Sequence, residues 1–257
     1  MAPPVLVCTT HDPTGAVLRL ATEEALQAIV DVFGACTVVC SEESTADVEP
    51  ALSRSGVAVV RRGGERLDLY RAALAAAGEY VMYADFDRLL HWERSYPAEL
   101  EEIARREPRP ELTIIGRTAR AFDSHPACQR LTEGPANELF RHLFDVPPDT
   151  DVFASCWILG RRAAAYLRDA PVAPGTAFYA LWPAMLLRAG FGPGYLAAEG
   201  LEWETPDAHT DDIARLGYDA WHARFESSGQ WLQRAEMSAQ WITELLRLAN
   251  TPVGAHP

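Results

Sequence analysis

Two carboxylates one residue apart, Asp85 and Asp87, follow the apolar run Tyr80 to Ala84 in the stretch EYVMYADFDRLLHW. Like charges this close repel, and one of the pair tends to take up a proton unless a cation is shared. A hard divalent ion such as Mg2+ or Mn2+ takes carboxylate oxygens and commonly bridges to the phosphate oxygens of a ligand. The plainer alternative is structural: one acid caps the helix ahead, or pairs with Arg88. Two histidines can be read beside these acids: His209, in the turn ETPDAHTDD, where a loop histidine is ordinarily a surface residue, and its rival His91, on the turn or helix after the pair.

The elements that must position these groups can be read from apolar patterning. Residues 5–10, 36–40, 57–61 and 80–84 are short, β-branched and apolar, as buried strands are. Between them, residues 17–33, a short stretch ending at Gly56, and residues 66–77 carry helical spacing. Strand and helix thus alternate three times before Asp85, which predicts a parallel sheet buried on both faces. In such sheets ligands bind beyond the carboxyl ends of the strands. Asp85 and Asp87 fall there on the fourth strand, Thr9, Thr10 and His11 on the first, and Ser41, Glu42 and Glu43 on the second. The second half is less regular. It has strands over 112–116 and 152–160, an extended run over 195–204, helices over 96–107, 133–144, 161–170 and 178–190, and one or two long helices over 211–249. The pattern predicts one domain over 1–210 with a C-terminal helical extension over 211–257.

Bulk properties narrow the partners. The chain has 257 residues, 48% hydrophobic and 23% charged, enough for one sizeable α/β core. Its net charge of −13 argues against nucleic acid and anionic membranes, and obliges any anionic ligand to find local help from a metal, an Arg or a helix N-terminus. All 23 basic residues are Arg, so a P-loop lysine is excluded. GxGxxG, GxSxG and HExxH are absent as well. The five cysteines are scattered without a CxxC pair, which suits reduced thiols in a cytoplasmic protein better than a disulfide framework. No run approaches 18 apolar residues, so no integral membrane segment is expected.

The segment GGERLDLYRAALAAAGEYVMYADFDRLL resembles the central region of GT-A fold glycosyltransferases, family 2-like, in which a helix leads into an apolar strand ending in DxD. VVCSEESTAD, residues 38–47, is similar to that family's second-strand end. The match runs through residues 5–116 and more loosely through SCWILGRRAAAYL. The resemblance implies a GT-A-like, Rossmann-like, mostly parallel central sheet flanked by helices. It also implies a nucleotide diphosphate sugar donor (UDP- or GDP-linked) and a divalent Mn2+ or Mg2+. Asp87 would bind the metal, and Asp85 would sit near the ribose or share the metal. Thr9, Thr10 and Glu42 would lie near the base or ribose, Arg62 or Arg66 near the diphosphate, and His209 would be the added metal ligand.

The sequence also departs from that family. Inverting members carry an acidic pair at the start of a late helix, whereas GTAFYALWPAM has no acid between Gly175 and Met185. Asp149, Asp151, Glu202, Glu204 and Asp207 remain as candidate bases. Glu204 is grouped with Asp85 and Asp87 as the candidate catalytic set. Retention of configuration, a non-catalytic GT-A-like binding domain and a nucleotidyltransferase stay open as alternatives, although TTHDPTG lacks the basic, Gly-rich loop usual after strand one in the last class. The acceptor could be a small molecule, a glycan or a lipid-linked group. Trp92, Trp157, Trp182 and Trp203 are candidates for stacking on a sugar or base, against the plainer role of core packing. Trp221, Trp231 and Trp241 suit packing, or a homodimer through the C-terminal helices.

Overall fold

Alternation of strand and helix is realised as the apolar pattern predicts in the first half of the chain. The computed structural model describes residues 2–64, 66–75, 78–107, 109–170 and 175–251, apart from the side chains of Arg66 and Leu67. β1 (Val5–Thr10) leads to α1 (Glu23–Phe33), β2 (Cys36–Ser41), α2 (Val48–Arg54), β3 (Ala58–Arg62), α3 (Arg66–Leu74) and β4 (Tyr80–Asp85). α1 begins later than the periodicity from residue 17 suggests. The Thr22 side chain accepts from the Ala25 amide and caps the helix, and Gly34, at φ 70°, ends it.

The remaining elements are α4 (Phe86–Ser95), α5 (Pro97–Arg105), β5 (Leu112–Arg117), α6 (Ala119–Asp123), α7 (Ala127–Phe144), β6 (Trp157–Gly160), α8 (Arg161–Arg168), α9 (Phe178–Arg188), β7 (Pro193–Ala198), α10 (Thr210–Leu216), α11 (Tyr218–His222) and α12 (Ser228–Asn250). Among the described residues the strands form one Rossmann-like sheet in the order β3-β2-β1-β4-β6-β5-β7. It is mostly parallel. β6 runs antiparallel to both its neighbours, with Tyr80 opposite Gly160 and Leu112 opposite Leu159.

Two features of this topology position the site. From β1 the chain winds outward through β2 to β3, then crosses back to place β4 on the other side of β1. The crevice outside the carboxyl ends of β1 and β4 is therefore the switch point where such sheets bind ligands. In addition, β5 ends and antiparallel β6 begins at that same edge. The intervening segment, with α6 and α7, consequently lies at the carboxyl edge and supplies the opposite wall of the crevice.

Several elements differ from the apolar pattern for local reasons. The strand expected over 152–160 is confined to β6, because the Asp151 carboxylate accepts from Arg117, Asn137 and the Phe153 amide and Ser155 turns at φ 54°. The extended run over 195–204 ends at Ala198 and continues as a 3-10 turn. The helical stretch 211–249 breaks at Gly217, φ 79° and ψ 149°, and again at Ser227, whose hydroxyl caps α12.

Both sheet faces are covered, as parallel strands require. One face packs Leu26, Ile29, Leu89, Trp92 and Leu100, and the other packs Tyr70, Trp157, Phe178, Trp182 and Trp241. Trp92, Trp157 and Trp182 are thus core residues rather than stacking platforms. α12 enters this core through Trp241 and Leu245, and is pinned by Ser238 Oγ donating to the Thr132 carbonyl at 2.7 Å. All five cysteines are buried and unbridged. Among the described residues no helix is long and apolar enough to cross a membrane.

Candidate active site

A cleft of about 740 Å3 opens at the β1/β4 crevice. Its near side carries Thr9, Thr10, Asp85, Asp87 and Arg88, and Glu204 arrives from the segment after β7. β1 and β4 run in register, with Thr9 opposite Asp85, so the end of each strand delivers its polar residue to the same place.

Asp85 occupies the N-cap position of α4, yet its side chain makes no capping bond. Its Oδ1 instead accepts from Tyr83 OH at 2.7 Å, Tyr70 OH at 3.0 Å and Thr9 Oγ1 at 3.3 Å. Tyr83 lies two residues before Asp85 and so faces the same side of the strand, and α3 brings Tyr70 across. These hydroxyls, together with the 2.6 Å bond between Thr9 Oγ1 and Tyr83 OH, hold the carboxylate in place. The other oxygen, Oδ2, has Arg88 Nη1 at 3.9 Å, too far for a hydrogen bond.

Asp87 sits in the first turn of α4 and accepts from the Arg88 amide at 2.8 Å. Burial first, then the charges of Glu204 and Asp85, push its carboxyl up to about 7, with Arg88 acting in the opposite direction. Arg88 is the local counter-charge. Burial works against its protonation, but Glu204, Asp85 and Asp87 hold it above the ordinary guanidinium value. Its Nε lies 3.8 Å from Glu204 Oε2, and its Nη1 donates to the Ala154 carbonyl. The net result is three carboxylates around a single guanidinium, with one acid held near neutrality.

Among the described residues no group of three or more His, Cys, Asp or Glu side chains is placed to hold a metal ion with protein ligands alone. Mg2+-type sites commonly use one or two carboxylates and complete their shell with water and substrate phosphate. Asp87, whose charged form is disfavoured without a cation, and the remaining oxygen of Asp85 fit that kind of substrate-completed site. His209 does not join them. It lies outside the cleft lining, with its ring 5.7 Å from that of Trp221. The rival His91 is committed elsewhere, with Nδ1 bonded to Asp207 at 2.6 Å and Nε2 to Glu202 at 3.1 Å.

The five candidate bases separate cleanly. Asp151 is locked by Arg117 at 2.6 Å and by Asn137 at 2.8 Å. Burial opposes its charge, but Arg117 prevails and holds the carboxyl down at about 2. Glu202 and Asp207 are engaged by His91, Arg94 and Arg120. Asp149 lines a different hollow. Glu204 alone among them lines the cleft, and its Oε2 is buried without a hydrogen-bond partner among the described residues.

Thr9 and Thr10 are buried in the cleft lining. Glu42 is exposed and outside that lining, with its carboxylate beside Gly63, and Glu43 lines the cleft in its place. The Arg66 side chain lies outside the described residues. Several residues of the site carry no sequence signal: Tyr70 and Tyr83 are buried core aromatics that reach it only through their hydroxyls on Asp85, and the cleft residues His125 and Ser155 fall in the irregular segment between β5 and β6.

Compared with protein families and with curated proteins, the chain has no match. Among solved structures it is similar to a CMP:2-keto-3-deoxy-manno-octonic acid synthetase complexed with CTP, at 13% identity and TM-score 0.48, covering 83% of this chain and 98% of that one. It is also similar to S. aureus TarS, at 13% identity and TM-score 0.42, over 94% of this chain and 71% of that one. A third similar structure is a 4-diphosphocytidyl-2C-methyl-D-erythritol synthase, at 15% identity and TM-score 0.43, over 83% of this chain and 98% of that one. At such low identity and TM-score these similarities carry no argument about activity.

Proposed function

We propose that the chain is a glycosyltransferase that moves a sugar from a nucleotide diphosphate sugar to an acceptor hydroxyl. The observation that carries this reading is the placement of Asp85, Asp87 and Glu204 at the β1/β4 switch point, where Asp87 is raised to about 7 by burial and by the other two acids. Such a carboxylate is under-compensated in the free protein and gains most from a cation that arrives with a polyphosphate.

In this reading Asp87, with the Oδ2 of Asp85, would hold Mn2+ or Mg2+. The ion would supply charge neutralisation for the diphosphate leaving group. Tyr70, Tyr83 and Thr9 fix Asp85, and Thr9 and Thr10 line the nucleoside side of the cleft. Arg88 offsets part of the charge of the three acids without a metal, which lessens their repulsion of an anionic donor. Glu204 acts as general base. It takes the proton of the acceptor O–H as that oxygen bonds to the anomeric carbon. The bond from the anomeric carbon to the diphosphate oxygen breaks, and its electron pair leaves with the nucleoside diphosphate.

Thermal stability measured with UDP- and GDP-sugars, with and without Mn2+, tests this reading. A ligand at 100 times its Kd stabilises by about 2.7 kcal/mol. A metal-dependent rise with at least one donor is the expected result, and no rise with any of them rejects the reading.

A further inference from the structure

Four buried polar atoms of cleft-lining residues have no hydrogen-bond partner among the described residues: Arg88 Nε, His125 Nε2, Ser155 Oγ and Glu204 Oε2. Buried polar groups are normally satisfied, so each of these needs an explanation. They belong to one place. Arg88 Nε faces Glu204 Oε2 at 3.8 Å, and Arg88 Nη1 donates to the carbonyl of Ala154, the residue before Ser155. Ser124 Oγ accepts from the Trp203 amide at 2.9 Å, tying the residue before His125 to the residue before Glu204. All four residues line the cleft.

The chemistry of each atom restricts what could satisfy it. His125 Nδ1 lies 2.9 Å from the Ala121 carbonyl, which can only accept, so Nδ1 carries the proton. Burial, followed by the charges of Arg117 and Arg88, holds the ring neutral. Nε2 is therefore an acceptor, as is Glu204 Oε2. Arg88 Nε is a donor, and the Ser155 hydroxyl is either. Ser155 is held at φ 54°, a conformation that side-chain-bearing residues adopt at a cost and that persists mainly where function requires it.

A phosphate or carboxylate would satisfy Arg88 but would meet the lone pairs of His125 and Glu204. An ammonium would oppose Arg88. Neighbouring hydroxyls, each both donor and acceptor, satisfy the whole set. Further along the cleft α12 contributes Gln230 and Gln233, amides with the same dual capacity.

We propose that Arg88, His125, Ser155 and Glu204 form the acceptor subsite and bind neighbouring hydroxyls of a neutral sugar, a refinement that rests on the glycosyl-transfer reading above. Glu204 removes the proton from the attacking hydroxyl. His125 is a binding residue that accepts from an adjacent one, and Ser155 holds the pair in place.

The test is calorimetric titration of the full chain. The probes are UDP and GDP with Mn2+, the corresponding nucleotide sugars, and the neutral methyl glycosides of glucose, galactose and mannose. The variants are His125→Phe and Ser155→Gly. Ser155→Gly removes the hydroxyl and relieves the positive φ, so it folds and is expected to raise the Tm. The expected result is that at least one methyl glycoside binds the wild type. Its affinity falls about tenfold or more in His125→Phe and about three- to tenfold in Ser155→Gly, while nucleoside diphosphate binding is unchanged. Nucleotide binding without any glycoside binding overturns the subsite and leaves the donor reading standing, as does glycoside binding that neither substitution alters. Loss in His125→Phe of a preference for the nucleotide sugar over the bare diphosphate would assign these hydroxyl contacts to the donor and overturn the acceptor assignment. Failure of every nucleotide to bind removes the donor reading itself.

Discussion

Replacing Asp87 with Asn removes a charge that the free protein holds at a cost, so the variant should be more stable than the wild type wherever that charge exists. The carboxyl moves from 3.8 to about 7 on folding. Below about pH 4 it is protonated in both states and contributes nothing. Between about pH 4 and 7 the folded protein binds the proton more tightly than the unfolded chain, so stability falls as pH rises. Above about pH 7 the full penalty is present. Roughly three units at about 1.4 kcal/mol each give a ceiling near 4 kcal/mol. Asn can still accept from the Arg88 amide, and Arg88 keeps Asp85 and Glu204 as counter-charges. Losing one of three acids around Arg88 offsets part of the gain, so about 2 kcal/mol is expected at about pH 8. For a chain of this length that corresponds to a rise in Tm of about 4–8 °C. Most of the rise should arise between about pH 5 and 8. Chemical or thermal unfolding of both proteins at the two pH values measures it. A gain independent of pH, or a loss at about pH 8, would refute the claim that the Asp87 charge is held under strain.

Glu204→Gln should lower transfer by about 10²–10⁴-fold while leaving metal-dependent donor binding within a few-fold, as expected for a lost general base; equal loss of both in a transfer and binding assay would make Glu204 a structural residue. Transfer by single displacement onto Glu204-activated hydroxyl predicts inversion at the anomeric carbon, read by NMR of the first-formed product. Asp151→Asn leaves Arg117 with only Glu133 as a charged partner in a buried network and should cost about 3–5 kcal/mol in denaturant unfolding. In the wild type the Asp151 contribution is present above about pH 4 and is lost as pH falls toward about 2. For His91, burial opposes the charge but Asp207 and Glu202 prevail and raise the pKa. The stabilisation is therefore complete below the ordinary histidine range and lost as pH rises through the raised value. Hydrogen exchange over residues 202–207 should speed up across that interval in the wild type and not in His91→Phe.

Much of this architecture is legible in the sequence because burial on both faces writes continuous apolar strands. β1 to β4 and the helices between them follow from that alone, and so does the placement of Asp85 and Asp87 at the carboxyl edge. The direction of β6 is not legible. An apolar strand reads the same in either direction, and only the α6–α7 excursion returning to the same edge makes β6 antiparallel. The breaks at Thr22, Gly217 and Ser227 depend on caps that short-range periodicity overlooks. At the site, Glu204 could be named but not chosen, since its rivals are excluded only by long-range partners: Arg117 for Asp151, and His91 for Glu202 and Asp207. His209 is a metal ligand only by the glycosyltransferase resemblance, and in the fold its ring packs near Trp221. His125 and Ser155 left no trace in the pattern, because their significance lies in unpartnered atoms that exist only in the folded chain.

The most direct measurement is a crystal of the full chain soaked with Mn2+ and a nucleoside diphosphate, with the metal located by its anomalous scattering. A manganese peak in contact with an Asp87 oxygen, bridged to the diphosphate in the β1/β4 crevice, is the predicted result. A nucleotide bound away from that crevice, or manganese that ignores Asp87, would contradict the central claim.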